Sequence, residues 1–243
     1  MVRGGFGPSD EKMPQPAAQP GQTNTYVPQF RTDDQLGSLL ASYSDDFTES
    51  SLGMQWSWVD AQFPHSSSLT GTSLELISQA GDLYMNQNSV SFLAEAAPSN
   101  DYVVETKLEF SVPVSGCCFN YAQAGLVIYG DDDNYIKLVS VSMDDTRQIE
   151  FAKELAPVPS GYARYGGGFA GPPGDATYLR IVCRHLDGGE QYTAYSSSDG
   201  STWIRGGTWT HSIGGKARIG LVAMNVPGYK ADFNYVHVYQ LLH

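Results

Sequence analysis

Apolar and polar residues alternate along Tyr102–Phe110, with Tyr102, Val104, Leu108 and Phe110 on one side and Glu105, Lys107 and Glu109 on the other. A period of two predicts a half-buried antiparallel strand with one wet face. The pattern recurs at Tyr178–Arg184, where Leu179, Ile181 and Cys183 alternate with Arg180, Val182 and Arg184. More continuous apolar runs follow at Ala124–Tyr129, Tyr135–Val139, Arg218–Ala223 and Ala231–Tyr239, with shorter ones at Leu74–Ile77, Ser91–Ala94 and Gln148–Glu154. About a dozen short β-runs, separated by Gly, Pro, Asn and Asp clusters and without helical periodicity, predict an all-β, two-sheet antiparallel sandwich.

Two turns fix side-chain directions. Gly130-Asp131-Asp132-Asp133-Asn134 joins two apolar runs, and pairing Gly130 with Tyr135 puts Tyr135 and Lys137 on the face opposite Ile136 and Leu138. Lys137, Arg180 and Arg184 are therefore expected to face solvent or a groove. Ser198-Asp199-Gly200 reverses the chain between Gln191–Ser196 and Thr202-Trp203-Ile204. Gly accepts positive φ there and Asp bonds its own backbone. Trp203 leaves that turn either to close the core or to stack on a ligand, and burial is the expected outcome. Trp56 and Trp58, two apart, share a face if on a strand, as core or as a stacking platform. A Pro/Gly-rich loop spans Pro157–Gly174; its aromatics Tyr162, Tyr165 and Phe169 are expected at the surface.

Residues 1–42, with Pro8, Pro14, Pro16 and Pro20 among Gly, Gln and Thr, read as an extended or disordered linker, with one short ordered turn around Gln35–Leu40. The folded domain is expected over 43–243. A net charge of −12 argues against nucleic acid and against an anionic membrane surface, and suits a hard cation. No apolar stretch reaches membrane-spanning length, so no membrane partner is expected. The N-terminus lacks a signal-peptide core, which leaves a piece of a longer secreted, extracellular protein or a cytoplasmic chain. Cys117, Cys118 and Cys183 have no CxxC spacing; either Cys183 pairs with one of the other two or all three are thiols.

Catalytic constellations are sparse. The carboxylates of Asp131-Asp132-Asp133 lie in a hairpin loop, and no strand is expected to hold two acids in apolar surroundings. The five histidines show no metal-binding spacing, and no GxSxG elbow exists.

Five segments occur in a characteristic order: Asp45-Asp46-Phe47, Ala124–Tyr129 with Asp131–Leu138, Tyr195–Trp203, Arg218–Ala223 and Asp232–Val236. Together, over about Tyr43 to Tyr239, they resemble the concanavalin A-like β-sandwich of family 43 glycoside hydrolases, the β-xylosidase C-terminal domain. The resemblance implies a jelly roll carried beside a hydrolytic propeller on its N-terminal side, so no catalytic residue is assigned here. It also implies a structural Ca²⁺ tying first and last strands, for which Asp46 and Asp232 are the candidate ligands, with Asp45 and carbonyl oxygens completing the shell. The expected role is a non-catalytic accessory or carbohydrate-binding module acting on xylan or arabinan. The alternatives are a stand-alone jelly-roll glucanase or lyase, and a structural interaction domain. For an oligo- or polysaccharide, Trp56, Trp58, Tyr135, Tyr165, Trp203 and Trp209 are candidate stacking platforms, and Lys137, Arg180 and Arg184 candidate polar partners.

Overall fold

The computed structural model describes residues 34–169 and 176–242. Its strands are β1 (Gln35–Leu39), β2 (Ser57–Val59), β3 (Ser67–Leu69), β4 (Leu74–Ile77), β5 (Phe92–Ala96), β6 (Tyr102–Glu109), β7 (Gln123–Asp131) and β8 (Asn134–Met143). They continue as β9 (Thr146–Leu155), β10 (Tyr165–Phe169), β11 (Ala176–Leu186), β12 (Gly189–Ser197), β13 (Ile204–His211), β14 (Arg218–Met224) and β15 (Lys230–Leu242). They form two antiparallel sheets. An eight-stranded sheet runs β13-β12-β11-β6-β15-β4-β3, with β1 also on β15, and a seven-stranded sheet runs β10-β9-β8-β7-β14-β5-β2.

The predicted alternation decides which side of each strand meets the other sheet. Tyr102, Val104, Leu108, Leu179, Ile181 and Phe233 face Leu126, Ile128, Ile136, Leu138, Phe151 and Leu221 in one core. The seven-stranded sheet is also covered on its other side. Leu83 and Val90, from the segment between β4 and β5, pack on Val127, Tyr135, Val139, Val141, Val222 and Met224. Two covered faces account for the near-continuous apolar runs of β7, β8 and β14.

Several expectations change. The linker reading of residues 1–33 lies outside the described residues. Residues 35–39, read as linker and turn, form β1, with Gln35 opposite Leu242 and Leu36 opposite Leu241. Leu36 packs on Val103, Val182 and Leu241, and Asp34 pairs with Arg184 at 2.6 Å and accepts the Tyr195 hydroxyl. Part of the Pro/Gly-rich loop is an edge strand, β10, with Tyr165 opposite Glu154 and Gly167 opposite Ala152. Glycine is a weak strand former; at position 167 a Cβ would lie 2.7 Å from Glu150 Oε1, so a side chain there would require the Glu150 carboxylate to shift. Cys183 takes no part in a disulfide. It faces the core opposite Tyr102, its thiol pushed up to about 12 by burial, whereas Cys117 and Cys118 are bonded to each other.

Candidate functional site

The segment from Gln79 to Ser91 forms a flap across the outer side of the seven-stranded sheet. Its two arms are tied together. Gln79 donates to the Ser91 carbonyl at 2.6 Å and accepts from Ser91 N at 3.0 Å, and Ser89 N donates to the Asp82 carbonyl at 2.9 Å. At Gly81 a Cβ would stand 2.0 Å from the Ser89 carbonyl oxygen, so only glycine lets the arms close.

The flap is pinned to the sheet by Glu154, which is fully buried. Its Oε2 accepts Met85 N at 2.7 Å and lies 2.8 Å from the Tyr135 hydroxyl; that hydroxyl is also 2.8 Å from the Leu83 carbonyl, so its proton serves two acceptors. Arg164 Nε stands 2.7 Å from Glu154 Oε1. The same guanidinium reaches Asn86 at 2.8 Å, the Met85 carbonyl at 3.1 Å, and Asp133. A buried carboxylate is tolerable only with this density of donors and an opposite charge.

Between flap and strands lies a cleft of about 430 Å³, lined by Asp82, Tyr84, Gln87, Tyr121, Gln123, Lys137, Glu150 and Tyr165. Its size is that of small-ligand sites. β8 supplies Lys137, and β9 and β10 bring Glu150 and Tyr165 beside it because register places all three on the outer face. The Tyr165 hydroxyl donates to Glu150 Oε1 at 2.9 Å. Lys137 Nζ lies 4.0 Å from Glu150 Oε2, 3.4 Å from the Leu83 carbonyl and 5.4 Å from the Tyr165 ring centre. Burial lowers the Lys137 ammonium from its usual range, opposed by Glu150, Asp82 and Glu154. Burial first, and then Glu150, raises the Tyr165 phenol, so it stays a hydrogen-bond donor. Tyr84 meets the Tyr165 ring edge-on at 4.8 Å and is itself exposed, as is Tyr121. A hollow of about 620 Å³ beyond the flap is lined largely by small and apolar residues, including Pro64, Ile77, Ala80, Gly81 and Pro227, and offers fewer polar partners.

Three of the sequence candidates, Tyr135, Lys137 and Tyr165, thus converge, although Tyr135 and Lys137 are buried beneath the cleft rather than solvent-facing. The others lie elsewhere. Trp56 and Trp58 pack toward the inter-sheet core; the Trp56 indole donates to Asp45 at 2.9 Å, and Trp58 lies 4.2 Å from the His65 ring. Trp209 packs against that core and donates to the Phe151 carbonyl at 3.2 Å. Trp203 is half-buried on the outer side of the eight-stranded sheet, under the Arg180 guanidinium at 3.7 Å. Arg180 in turn grips Glu105 at 2.9 and 2.6 Å, and Arg184 pairs with Asp34. Tyr162 is exposed, and the side chain of Phe169 lies outside the described residues.

Sequence reasoning missed Asp82, Tyr84, Gln87, Tyr121, Gln123, Glu150, Glu154 and Arg164. Gln79–Asp82 looked like an ordinary turn. The available signal was on β9, where Glu150 and Glu154 alternate with core-facing Ile149 and Phe151, contrary to the expectation that no strand holds two acids in apolar surroundings. Four residues of strand separate these acids by about 13 Å, beyond the spacing of a glycosidase pair.

The calcium ligands do not converge either. Asp46 accepts from or pairs with His237 at 2.7 Å, whereas Asp232 lies five residues earlier on the same strand, roughly 16 Å away. Asp45 already accepts Phe47 N at 2.8 Å as well as the Trp56 indole. Asp232 sits in register with Glu75 and Glu109, and its carboxyl is raised by burial and by those two acids. Among the described residues no three His, Cys, Asp or Glu side chains are grouped to hold a metal ion. The residues present do not fit the implied ion.

Comparison with known proteins agrees with this architecture. The glycoside hydrolase family 43 protein BlXynB from Bacillus licheniformis superposes with a TM-score of 0.62 at 21% identity, over 82% of this chain and 39% of its own. The chain thus spans about two-fifths of that protein. A functionally unknown protein from Saccharomyces cerevisiae matches at 0.60 and 16% identity, over 78% of this chain and 98% of its own. The exoplasmic domain of VIP36 in its Ca²⁺/Man3GlcNAc-bound form matches at 0.54 and 12% identity, over 84% and 91%. No match to a curated protein was found. Residues 44–238 match the family model of the beta xylosidase C-terminal concanavalin A-like domain, and the chain belongs to that family.

Proposed function

We propose that this chain is a carbohydrate-binding accessory module of a glycoside hydrolase, and that the cleft under the flap takes a short stretch of a plant-type polysaccharide such as xylan or arabinan. The observation that carries this reading is the cleft's composition: tyrosine faces at Tyr84, Tyr121 and Tyr165, set among the amides of Gln87 and Gln123 and the carboxylates of Asp82 and Glu150. Sugars present an apolar C–H face and a rim of hydroxyls, and aromatic rings with nearby acceptors and donors match both. Support also comes from neighbours that share this fold, a glycoside hydrolase family 43 protein and a glycan-bound lumenal domain. The partner on the N-terminal side is then a hydrolase catalytic domain, and the whole protein works outside the cell where polysaccharide is found.

Affinity electrophoresis and calorimetric titration with xylo- and arabino-oligosaccharides test the reading. Binding is expected, and Tyr84→Ala should weaken it about tenfold while leaving the melting temperature nearly unchanged, since the ring is exposed. Absence of any retardation or heat would refute it. A second reading, a stand-alone glycan-cleaving enzyme, is favoured by Asp82 and Glu150 sharing one cleft. It requires release of reducing ends by the chain alone, lost in Glu150→Gln.

A further inference from the structure

The charges in the cleft point to what kind of glycan it takes. Among the described residues lining it, Lys137 is the one cation, facing the two carboxylates of Asp82 and Glu150. The lysine is already committed: it is almost fully buried, 4.0 Å from Glu150 Oε2 and 3.4 Å from the Leu83 carbonyl. Arg164, which contacts the flap at Asn86 and the Met85 carbonyl, is taken by Glu154 and Asp133. The surrounding protein, at a net charge of −12, adds a field of the same sign.

We infer that the cleft selects uncharged glycans and rejects those bearing uronate at the bound position, with Asp82 and Glu150 as the selecting groups. This rests on the sugar-binding reading above and refines it. A neutral sugar hydroxyl donates to an ionised carboxylate in a charge-assisted hydrogen bond, which is stronger than a neutral one. A uronate brought to the same place would be stripped of water against two like charges with no free cation among the described residues to meet it, and it offers no proton to either acid. The carboxylates that attract a neutral sugar therefore exclude an acidic one, which is how discrimination by an unfavourable contact arises.

The test uses the full chain and two xylo-oligosaccharides of equal length, one carrying arabinose and the other glucuronate at the same position, titrated by calorimetry at low and at physiological salt. The neutral ligand is expected to bind at least tenfold tighter, with the gap narrowing as salt rises. Asp82→Asn should close that gap by strengthening uronate binding, and its melting temperature reports that the fold is kept. Equal or tighter binding of the glucuronate ligand by the unaltered protein would overturn the selection and leave the sugar reading standing. Binding of neither ligand would overturn both. A gap that Asp82→Asn and Glu150→Gln each leave untouched would overturn the assignment to these two acids.

Discussion

Both outer faces of this sandwich carry aromatic rings and ionised groups, yet they use them in opposite ways. On the eight-stranded sheet, cross-strand register sets Arg180 and His237 on either side of Glu105. Arg180 lies on Trp203, Tyr235 donates to Glu105 at 2.7 Å and stacks on His237 at 4.0 Å, and His237 meets Asp46. Each group is satisfied by its neighbour in the sheet. On the seven-stranded sheet the comparable groups are met by a separate segment passing overhead, and the gap between flap and sheet is the cleft. Residue types do not distinguish a recognition surface from a self-paired one; what decides is whether the partners lie in the same sheet or across a space.

The comparison breaks most sharply at Glu154. Replacing it with Ala removes the acceptor for Met85 N and Tyr135 and leaves Arg164 without its buried counter-charge. A loss of about 3–5 kcal/mol is expected in chemical denaturation, the range for a broken buried ion pair, together with loss of oligosaccharide binding as the flap releases. Retained binding in a folded Glu154→Ala protein would mean the flap does not build the cleft.

A second large effect comes from between the faces and must be separated from them. Glu95 on β5 points into the core, neither oxygen has a hydrogen-bond partner among the described residues, and its carboxyl is pushed up to about 8, chiefly by burial and then by the charge of Asp45. Because the folded-state value lies above the unfolded one, the folded protein holds the proton longer. Its contribution to stability is fully present below the ordinary carboxyl value of 4.5 and is lost as pH rises toward about 8. Glu95→Gln should match the parent at pH 4.5 and exceed it by about 2–4 kcal/mol at pH 8, measured by urea unfolding. A parallel pH profile in the two proteins would contradict the assignment.

Much of this was legible in the residues. Alternation in Tyr102–Phe110 and Tyr178–Arg184 gave the core face of β6 and β11, and alternation after the Asp131–Asn134 turn put Tyr135 and Lys137 on one face, although Tyr135 pairs with Tyr129 rather than with Gly130. Period two assigns a side chain to a face but not to a depth, so Lys137 was expected at the surface. It is buried because a flap 46 to 58 residues earlier in the sequence covers it, and no local pattern announces that. The same limit explains Tyr165: three consecutive glycines read as loop until β9 supplies an edge to pair with. Arg180 is a ligand candidate on its chemistry alone, and Trp203 a candidate platform expected to be buried, whereas Arg180 covers Trp203 and pairs with Glu105.

The self-paired face yields a smaller effect. Arg180→Ala removes the two bonds to Glu105 and uncovers Trp203. It should cost about 1–2 kcal/mol, the scale of a charged hydrogen bond and a cation–π contact at a partly exposed site. Oligosaccharide affinity should stay within twofold of the parent. A tenfold loss of affinity would move recognition to this side and reverse the comparison.

The smallest expected effect concerns calcium, whose candidate ligands Asp46 and Asp232 both lie on β15 or against it, on that same eight-stranded sheet. A site saturated at a hundred times its dissociation constant stabilises by about 2.7 kcal/mol. For a domain of this length that is roughly 5–10 °C in melting temperature. Asp46 is occupied by His237, and the Asp232, Glu75 and Glu109 carboxylates are in part answered by Lys230 on Glu75 at 2.6 Å and Lys107 on Glu109 at 2.9 Å. Excess chelator should therefore change the melting temperature by less than about 1 °C, against the several degrees a filled site implies. A drop of several degrees, restored by Ca²⁺ and lost in Asp232→Asn, would show that this face too holds a ligand across a space rather than only pairing with itself.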